Sequence, residues 1–181
     1  MVIGRHECKQ AQGTHLREAI AITLDDATTA LEESFYDLTD EQAHSFPVPG
    51  RNNIAWMVMH CLDNLDGNAV GVPTGGRLFP EEERWDLWEC GPDDRPKPGD
   101  PFPTVAEMLD RLRAIRDAAT AAIEKTDEPA LLEPCGPPGR IKADWYMRTI
   151  CHTNAHVRQV WLLRGALGLT DGRTWPQQHW A

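Results

Sequence analysis

The sequence predicts an all-α protein, a four-helix bundle in which one long connection joins the second helix to the third. Apolar residues recur at spacings of three and four in four separate stretches, as they do on the buried face of a helix. Prolines, glycines and capping residues separate these stretches, and no run alternates apolar with polar residues as a half-buried strand does. Because 181 residues suffice for one full-sized core, we treat residues 1–181 as a single domain.

The first helix is predicted from about Thr14 to Asp37, and the second from about Asn53 to Val70. The intervening stretch "LTDEQAHSFPVPGRNN" contains two prolines and a glycine, and its last residues, Asn52 and Asn53, can each cap the second helix. The apolar face of the first helix consists of Leu16, Ile20, Ala27, Leu31, Phe35 and Leu38. That of the second consists of Ile54, Met57, Val58, Cys61 and Leu65.

Residues 71–103 are predicted to form a long connection, because they are rich in proline and glycine and include the acidic run Glu81–Glu83. A connection of this length inside a compact domain is often a lid or a binding loop. Its two tryptophans, Trp85 and Trp88, are expected to pack back onto the bundle; the alternatives are a pocket wall or a contact with a partner.

The third helix is predicted to begin after Thr104, which forms a capping-box pattern with Glu107. Its apolar positions are Val105, Met108, Leu109, Leu112, Ile115, Ala119 and Ile123. The fourth helix is predicted from about Ala143 to Leu167, ending at Gly168. The tail that follows carries two tryptophans and is expected to dock on the body of the protein.

Composition restricts the possible partners and the compartment. A formal net charge of −10 predicts that the protein does not bind nucleic acid, since phosphate binding needs a concentrated surplus of Lys and Arg. No apolar run approaches the roughly 18 residues of a membrane span, and the N-terminal stretch lacks the apolar core of a secretion signal, so we expect a cytoplasmic protein. The five cysteines, without CxxC spacing, are expected to be reduced thiols. They are Cys8, Cys61, Cys90, Cys135 and Cys151.

The fourth helix carries two histidines among its apolar residues. His152 and His156 lie four residues apart, which places them about 6 Å apart on one face of a helix, so both imidazoles can approach one ion. Such a pair also occurs by chance, and core-facing histidines often form only hydrogen bonds. The adjacent Cys61 and Cys151 point about 100° away from their histidine neighbours and are expected to be small core residues.

His60 on the second helix supplies a third candidate ligand. Three neutral imidazoles from two helices leave at least one position of a zinc, nickel or other divalent ion open to water or substrate, as in reactive rather than structural sites. The remaining histidines are expected at the surface: His6, His15, His44 and His179.

The two histidine-bearing segments together resemble the DinB/YfiT-like superfamily. "GRNNIAWMVMHCLDN" is followed about ninety residues later by "HTNAHVRQVWLLRGALG", in which Gln159 comes three residues after His156, and the likeness covers roughly residues 14–168. In that superfamily a histidine of the second helix joins an HxxxH pair on the last helix. The resemblance implies that His60, His152 and His156 are metal ligands, that the metal is zinc or nickel, that the bundle is up-down-down-up, and that a homodimer can form.

The resemblance also implies chemistry on a small-molecule substrate. Its best understood members are transferases and isomerases that use mycothiol, bacillithiol or a related low-molecular-weight thiol. The leading hypothesis is that the metal lowers the pKa of such a thiol and presents the thiolate to an electrophile. Asp63 or Asn64 is a candidate for orienting an imidazole, and Arg148 for contacting an anionic substrate group.

Three alternatives stay open. The same centre could activate water in a hydrolase, and nothing in the three ligands separates the two activities. The protein could also be a non-catalytic, stress-associated protein whose metal only stabilises it, or it could bind no metal. The long connection with Trp85 and Trp88 departs from the family pattern and would shape the pocket in its own way, so the resemblance does not predict which substrate this chain binds.

Overall fold

The regular secondary structure in the described part of the chain is helical. The computed structural model describes residues 15–79 and 96–169, and within these ranges there is no β-strand. The helices are α1 (Leu16–Glu33), α2 (Asp40–His44), α3 (Ile54–Leu65), a π-helical segment (Asp66–Gly71), α4 (Val72–Thr74), α5 (Val105–Lys125), α6 (Glu128–Leu131) and α7 (Lys142–Ala166). The prediction of an all-α fold is confirmed.

The four predicted helices correspond to α1, to α3 with its extension, to α5 and to α7. α1 ends at Glu33, four residues before the predicted end, and Asp37 has a left-handed backbone with φ of 53° that no helix accommodates. The second helix changes from α to π geometry at Asp66. The one-turn helices α2 and α6 were not predicted, because a single turn is too short to show an apolar period; Thr39 and Asp127 cap them.

Each long helix packs against two others. α7 contacts α1 and α3, and α5 contacts the same two helices on the other side, so the four surround one core. Apolar side chains on the facing surfaces are almost completely buried. They include Ile20, Leu24, Leu31, Ile54, Leu62, Leu65, Met108, Leu112, Ile115, Ile123, Val157 and Val160. This core holds α3 and α7 side by side and so fixes the two helices that carry the candidate ligands.

Local capping fixes where α3 and α5 begin. Of the two predicted asparagines, Asn53 is the cap: its Oδ1 accepts the backbone N–H of Trp56 at 2.9 Å, while its Nδ2 donates to the carbonyl of His44 at 3.1 Å. The predicted capping box of Thr104 and Glu107 at the start of α5 is confirmed. The first residue of α3 therefore has a defined position relative to the preceding chain.

A buried arginine joins the end of α7 to the end of α1. Arg164 is 1% exposed, and its Nη1 donates to the carbonyls of Ser34 at 3.1 Å and of Tyr36 at 2.7 Å. Its guanidinium also lies over the Trp161 ring, 4.9 Å from the centroid. A cation beside the last carbonyls of a helix interacts favourably with the helix dipole. Arg164 therefore ties together the two helices that pack along one side of the core.

Several predictions fall outside the described residues: the placement of Trp85 and Trp88 and that of the C-terminal tail. None of the helices in residues 15–79 and 96–169 combines the length and apolar character needed to span a bilayer.

Candidate metal centre

Helices α3 and α7 bring the three predicted histidines together. His60 on α3 lies opposite His152 and His156 on α7, and the ring centroids are 4.5 to 5.0 Å apart. One ring nitrogen of each residue lies within 4.8 Å of the other two. The structure therefore places together residues that are 92 positions apart in the chain. All three side chains are half-buried, so the cluster opens to solvent on one side.

Hydrogen bonds indicate which nitrogen of each ring faces the cluster. The Nε2 atoms of His60 and His152 lie 3.0 Å apart. Nδ1 of His156 lies 2.8 Å from Oε1 of Gln159, and because an amide oxygen only accepts, Nδ1 carries the proton. The lone pair of His156 is therefore on Nε2. All three rings can then present Nε2 as the ligand atom.

Gln159 and Trp56 are site residues whose roles the sequence did not predict. Gln159 fixes the tautomer of His156, as the partners of metal-binding histidines commonly do. Trp56 stacks on His60 with centroids 4.9 Å apart and planes inclined by 11°. The sequence signal for both contacts was spacing along a helix. Gln159 follows His156 by three positions and Trp56 precedes His60 by four, and side chains at these spacings are neighbours on a helix.

Burial favours the neutral form of the imidazoles. Desolvation is the largest cause that lowers the pKa of His60, reinforced by His156 and opposed by the carboxylate of Asp63. Desolvation, followed by the charges of His156, His60 and Arg148, lowers the pKa of His152 to about 4. Both rings are therefore neutral at pH 7, and neutral imidazole is the form that binds a metal.

This donor set fits a divalent transition metal. Imidazole nitrogens bind zinc at 2.0–2.1 Å in tetrahedral sites, which corresponds to about 3.3 Å between ligand nitrogens. The 3.0 Å between the Nε2 atoms of His60 and His152 is close to that separation. A cation placed between the rings would accept the Nε2 lone pairs of all three imidazoles. Within the described residues these three histidines are the only group of His, Cys, Asp or Glu side chains close enough together to hold a metal ion.

The neighbouring polar residues do not serve as further ligands. Asp63 forms an ion pair with Arg77, and Oδ1 of Asn64 accepts a hydrogen bond from Nδ2 of Asn68 at 3.0 Å. The hypothesis that either one orients an imidazole therefore finds no contact in the structure; Asp63 acts on His60 through its charge.

The cysteines next to the ligands point away from the cluster. Cys61 is fully buried, as predicted, and burial raises the pKa of its thiol far above the usual value. The prediction for Cys151 is wrong: it is exposed, because α7 packs with only part of its circumference and residue 151 lies on the outer side.

The other described histidines lie away from the cluster. His15 is exposed and pairs with Glu128, as expected for a surface residue. His44 is half-buried rather than at the surface, since its Nε2 bonds to the carbonyl of Pro103 at 2.8 Å. His6 and His179 fall outside the described residues.

Comparison with known proteins identifies one family. The model of the DinB superfamily matches residues 23–160, a range that includes all of α3 and α5 and the three clustered histidines. No curated protein sequence matches the chain.

Proposed function

The chain belongs to the DinB superfamily, and from this premise we propose that it is a metal-dependent enzyme acting on an electrophilic small molecule with a low-molecular-weight thiol. His60, His152 and His156 hold zinc or nickel. The observation that carries the proposal is the convergence of three half-buried imidazoles, each able to present Nε2, between α3 and α7.

The ligand count supports a reactive site. Structural zinc sites are usually closed by four protein ligands, whereas catalytic sites have three and leave a position for another molecule. Only three candidate ligands converge among the residues described, and Asp63 is engaged by Arg77. When bound, a divalent cation supplies a Lewis acid that lowers the pKa of a thiol or water in the open position.

The protein's own residues prepare the site in three ways. Gln159 keeps the proton of His156 on Nδ1 and away from the cluster. Trp56 covers one face of His60 and restricts the orientation of that ring. Arg148, one turn before His152, adds positive charge beside the site, which favours an anion such as a thiolate over its protonated form.

The proposal is tested by a thiol-consumption screen. The purified protein is loaded with zinc, nickel or manganese, or left without metal, and mixed with mycothiol, bacillithiol or simple thiols and a set of electrophiles. We expect metal-dependent loss of thiol in the wild type and at least tenfold slower loss in His156→Ala. The control is His15→Ala, which removes an exposed histidine far from the cluster and should leave the rate unchanged.

Two results would change the assignment. Metal-dependent release of product without loss of thiol would favour a hydrolase, the nearest alternative. Stoichiometric metal without either activity would favour a protein that the metal only stabilises, and the absence of bound transition metal by elemental analysis would overturn the proposal.

A further inference from the structure

A pocket beside the first turns of α7 contains two arginines. It is partly open to solvent and is lined by Arg140, Asp144, Trp145 and Arg148. Asp144 is engaged in capping α7, since its Oδ2 accepts the backbone N–H of Ile141 at 3.1 Å. Two guanidinium groups and the one carboxylate of Asp144 leave the pocket with net positive charge, in a protein whose formal net charge is −10.

The wall of this pocket is held in place by the loop that precedes α7. The backbone N–H of Cys135 donates to the carbonyl of Arg140 at 2.9 Å, and that of Lys142 donates to the carbonyl of Glu133 at 3.1 Å. Nε1 of Trp145 donates to the carbonyl of Cys135 at 3.1 Å and so joins the loop to α7. Hydrogen bonds therefore fix both ends of the loop that contains Arg140.

Both arginines are available to a ligand. Their side chains are exposed, and neither forms an ion pair or a side-chain hydrogen bond with the residues described. Arg148 lies over the edge of the pocket, with its guanidinium 6.0 Å from the centroid of the Trp145 ring. Guanidinium groups bind carboxylate and phosphate through paired N–H donors, and an adjacent indole gives the ligand an apolar surface.

The pocket also lies next to the histidine cluster. Arg148 precedes His152 by four residues, so it is displaced by one helical turn, about 6 Å, along the same side of α7. A small molecule whose reacting end reaches the three imidazoles can therefore extend its other end into the pocket.

We propose that Arg140 and Arg148 bind a carboxylate or phosphate group of the thiol or substrate, whose reacting atom lies about one helical turn away at the histidines. The anion site is defined by the pocket alone, whereas its use in the reaction rests on the proposed function. The chemical class that the pocket selects is a small organic molecule with a carboxylate or phosphate at the end away from its reacting atom.

The first experiment tests the anion site without metal or thiol. Inorganic phosphate is titrated into the metal-free protein at constant ionic strength, and the indole N–H resonance of Trp145 is followed by NMR. We expect a saturable shift with a dissociation constant of about 1 mM or weaker, lost in Arg148→Gln and partly restored in Arg148→Lys. Arg51→Gln, at an exposed residue of another loop, is the matched control and should behave as wild type.

The second experiment tests whether the reaction uses the pocket. Cobalt-loaded protein is titrated with 6-mercaptohexanoate and with 6-mercaptohexanamide, two thiols that differ only in the charge of the far end. The readout is the near-ultraviolet absorption that thiolate sulfur gives with cobalt. We expect the carboxylate to bind roughly three- to tenfold more tightly than the amide in wild type, and equally in Arg148→Gln.

The outcomes separate the two proposals. The anion site is overturned if phosphate does not shift the Trp145 resonance in the wild type. It is also overturned if the shift is unchanged in Arg148→Gln, because phosphate is then an adventitious ion only. If the cobalt–thiolate absorption shows that wild type binds both thiols equally tightly, the proposed function stays intact and the role of the pocket is overturned. Absence of sulfur absorption with either thiol, together with a normal phosphate response, overturns the proposed thiol chemistry and leaves the anion site standing.

Discussion

At the scale of single residues, the cluster depends on side chains that the histidine pattern alone does not identify. The HxxxH spacing predicted His152 and His156 as neighbours, because helix geometry fixes where residues four apart lie. It could not predict which ring nitrogen faces the cluster, since that depends on the partner of the other nitrogen. Gln159 supplies that partner for His156.

Replacing Gln159 should weaken metal binding without unfolding the protein. In Gln159→Leu, Nδ1 of His156 loses its acceptor. The proton can then move from Nδ1 to Nε2, where it occupies the lone pair that would bind the metal. We expect about tenfold weaker metal affinity and a change in the ¹⁵N shifts of the His156 ring. Gln159→Glu retains an acceptor and should retain the affinity. Equal affinity in the leucine variant would show that Gln159 does not set the tautomer.

Replacing Arg164 should reduce stability strongly. Arg164→Leu removes the buried donors to the carbonyls of Ser34 and Tyr36 and leaves those carbonyls without these partners. The expected loss in the free energy of unfolding is about 3 kcal/mol, measured by urea denaturation. Arg51→Leu, at an exposed position, should change it by less than about 0.5 kcal/mol. Similar values for the two variants would contradict the role of Arg164.

At the scale of elements, the sequence predicted helices more accurately than their ends and connections. The periods of α5 and α7 are long, so the predicted start of α5 after Thr104 agrees with the structure and each predicted end of α7 differs by one residue. The transition to π geometry at Asp66 had no sequence signal, because it depends on tertiary contacts. The buried carboxylate of Asp66 accepts the backbone N–H groups of Leu78 at 2.8 Å and Phe79 at 3.2 Å. Long-range contacts of this kind cannot be read from an apolar period.

The loop before α7 offers a matched pair of glycine substitutions. Gly136 and Gly139 both have left-handed backbones, with φ of 81° and 83°, but only at Gly136 would a Cβ approach Trp145, to 2.9 Å from Cζ2. Gly139→Ala should cost about 1 kcal/mol from backbone strain alone. Gly136→Ala should cost about 1–2 kcal/mol more and should shift the Trp145 indole resonance. Equal costs would show that the packing of Trp145 on the loop is loose.

At the scale of the whole molecule, the histidine cluster brings together distant parts of the sequence. The helical pattern predicted the pair on α7 and offered His60 as a third candidate ligand, and the family resemblance implied that all three are ligands. The meeting of His60 with that pair depends on the packing of α3 against α7. Homodimer formation stays a prediction, to be measured by light scattering of the purified protein.

The stability of the metal-free protein should depend on pH through the cluster. The pKa of His152 is lowered from 6.5 to about 4 in the folded protein, so the unfolded chain takes up the proton first as the pH falls. The contribution of the neutral ring is therefore present above pH 6.5 and is lost as the pH falls towards 4. Allowing for solvent screening of a half-buried ring, we expect a loss of about 2 kcal/mol.

The measurement is the free energy of unfolding at several pH values between 7 and 4 for wild type and His152→Gln. The variant should lose less stability over this interval, because its side chain does not titrate. Parallel curves for the two proteins would show that His152 is not desolvated in the folded state.

The separation of His60 from His152 along the chain has a consequence for biosynthesis. A nascent chain that has emerged only as far as α5 carries one of the three imidazoles, and it cannot retain the ion with the affinity of the finished protein. A metal held by all three histidines, as proposed, can therefore be bound in full only after α7 has been synthesised and has packed against α3.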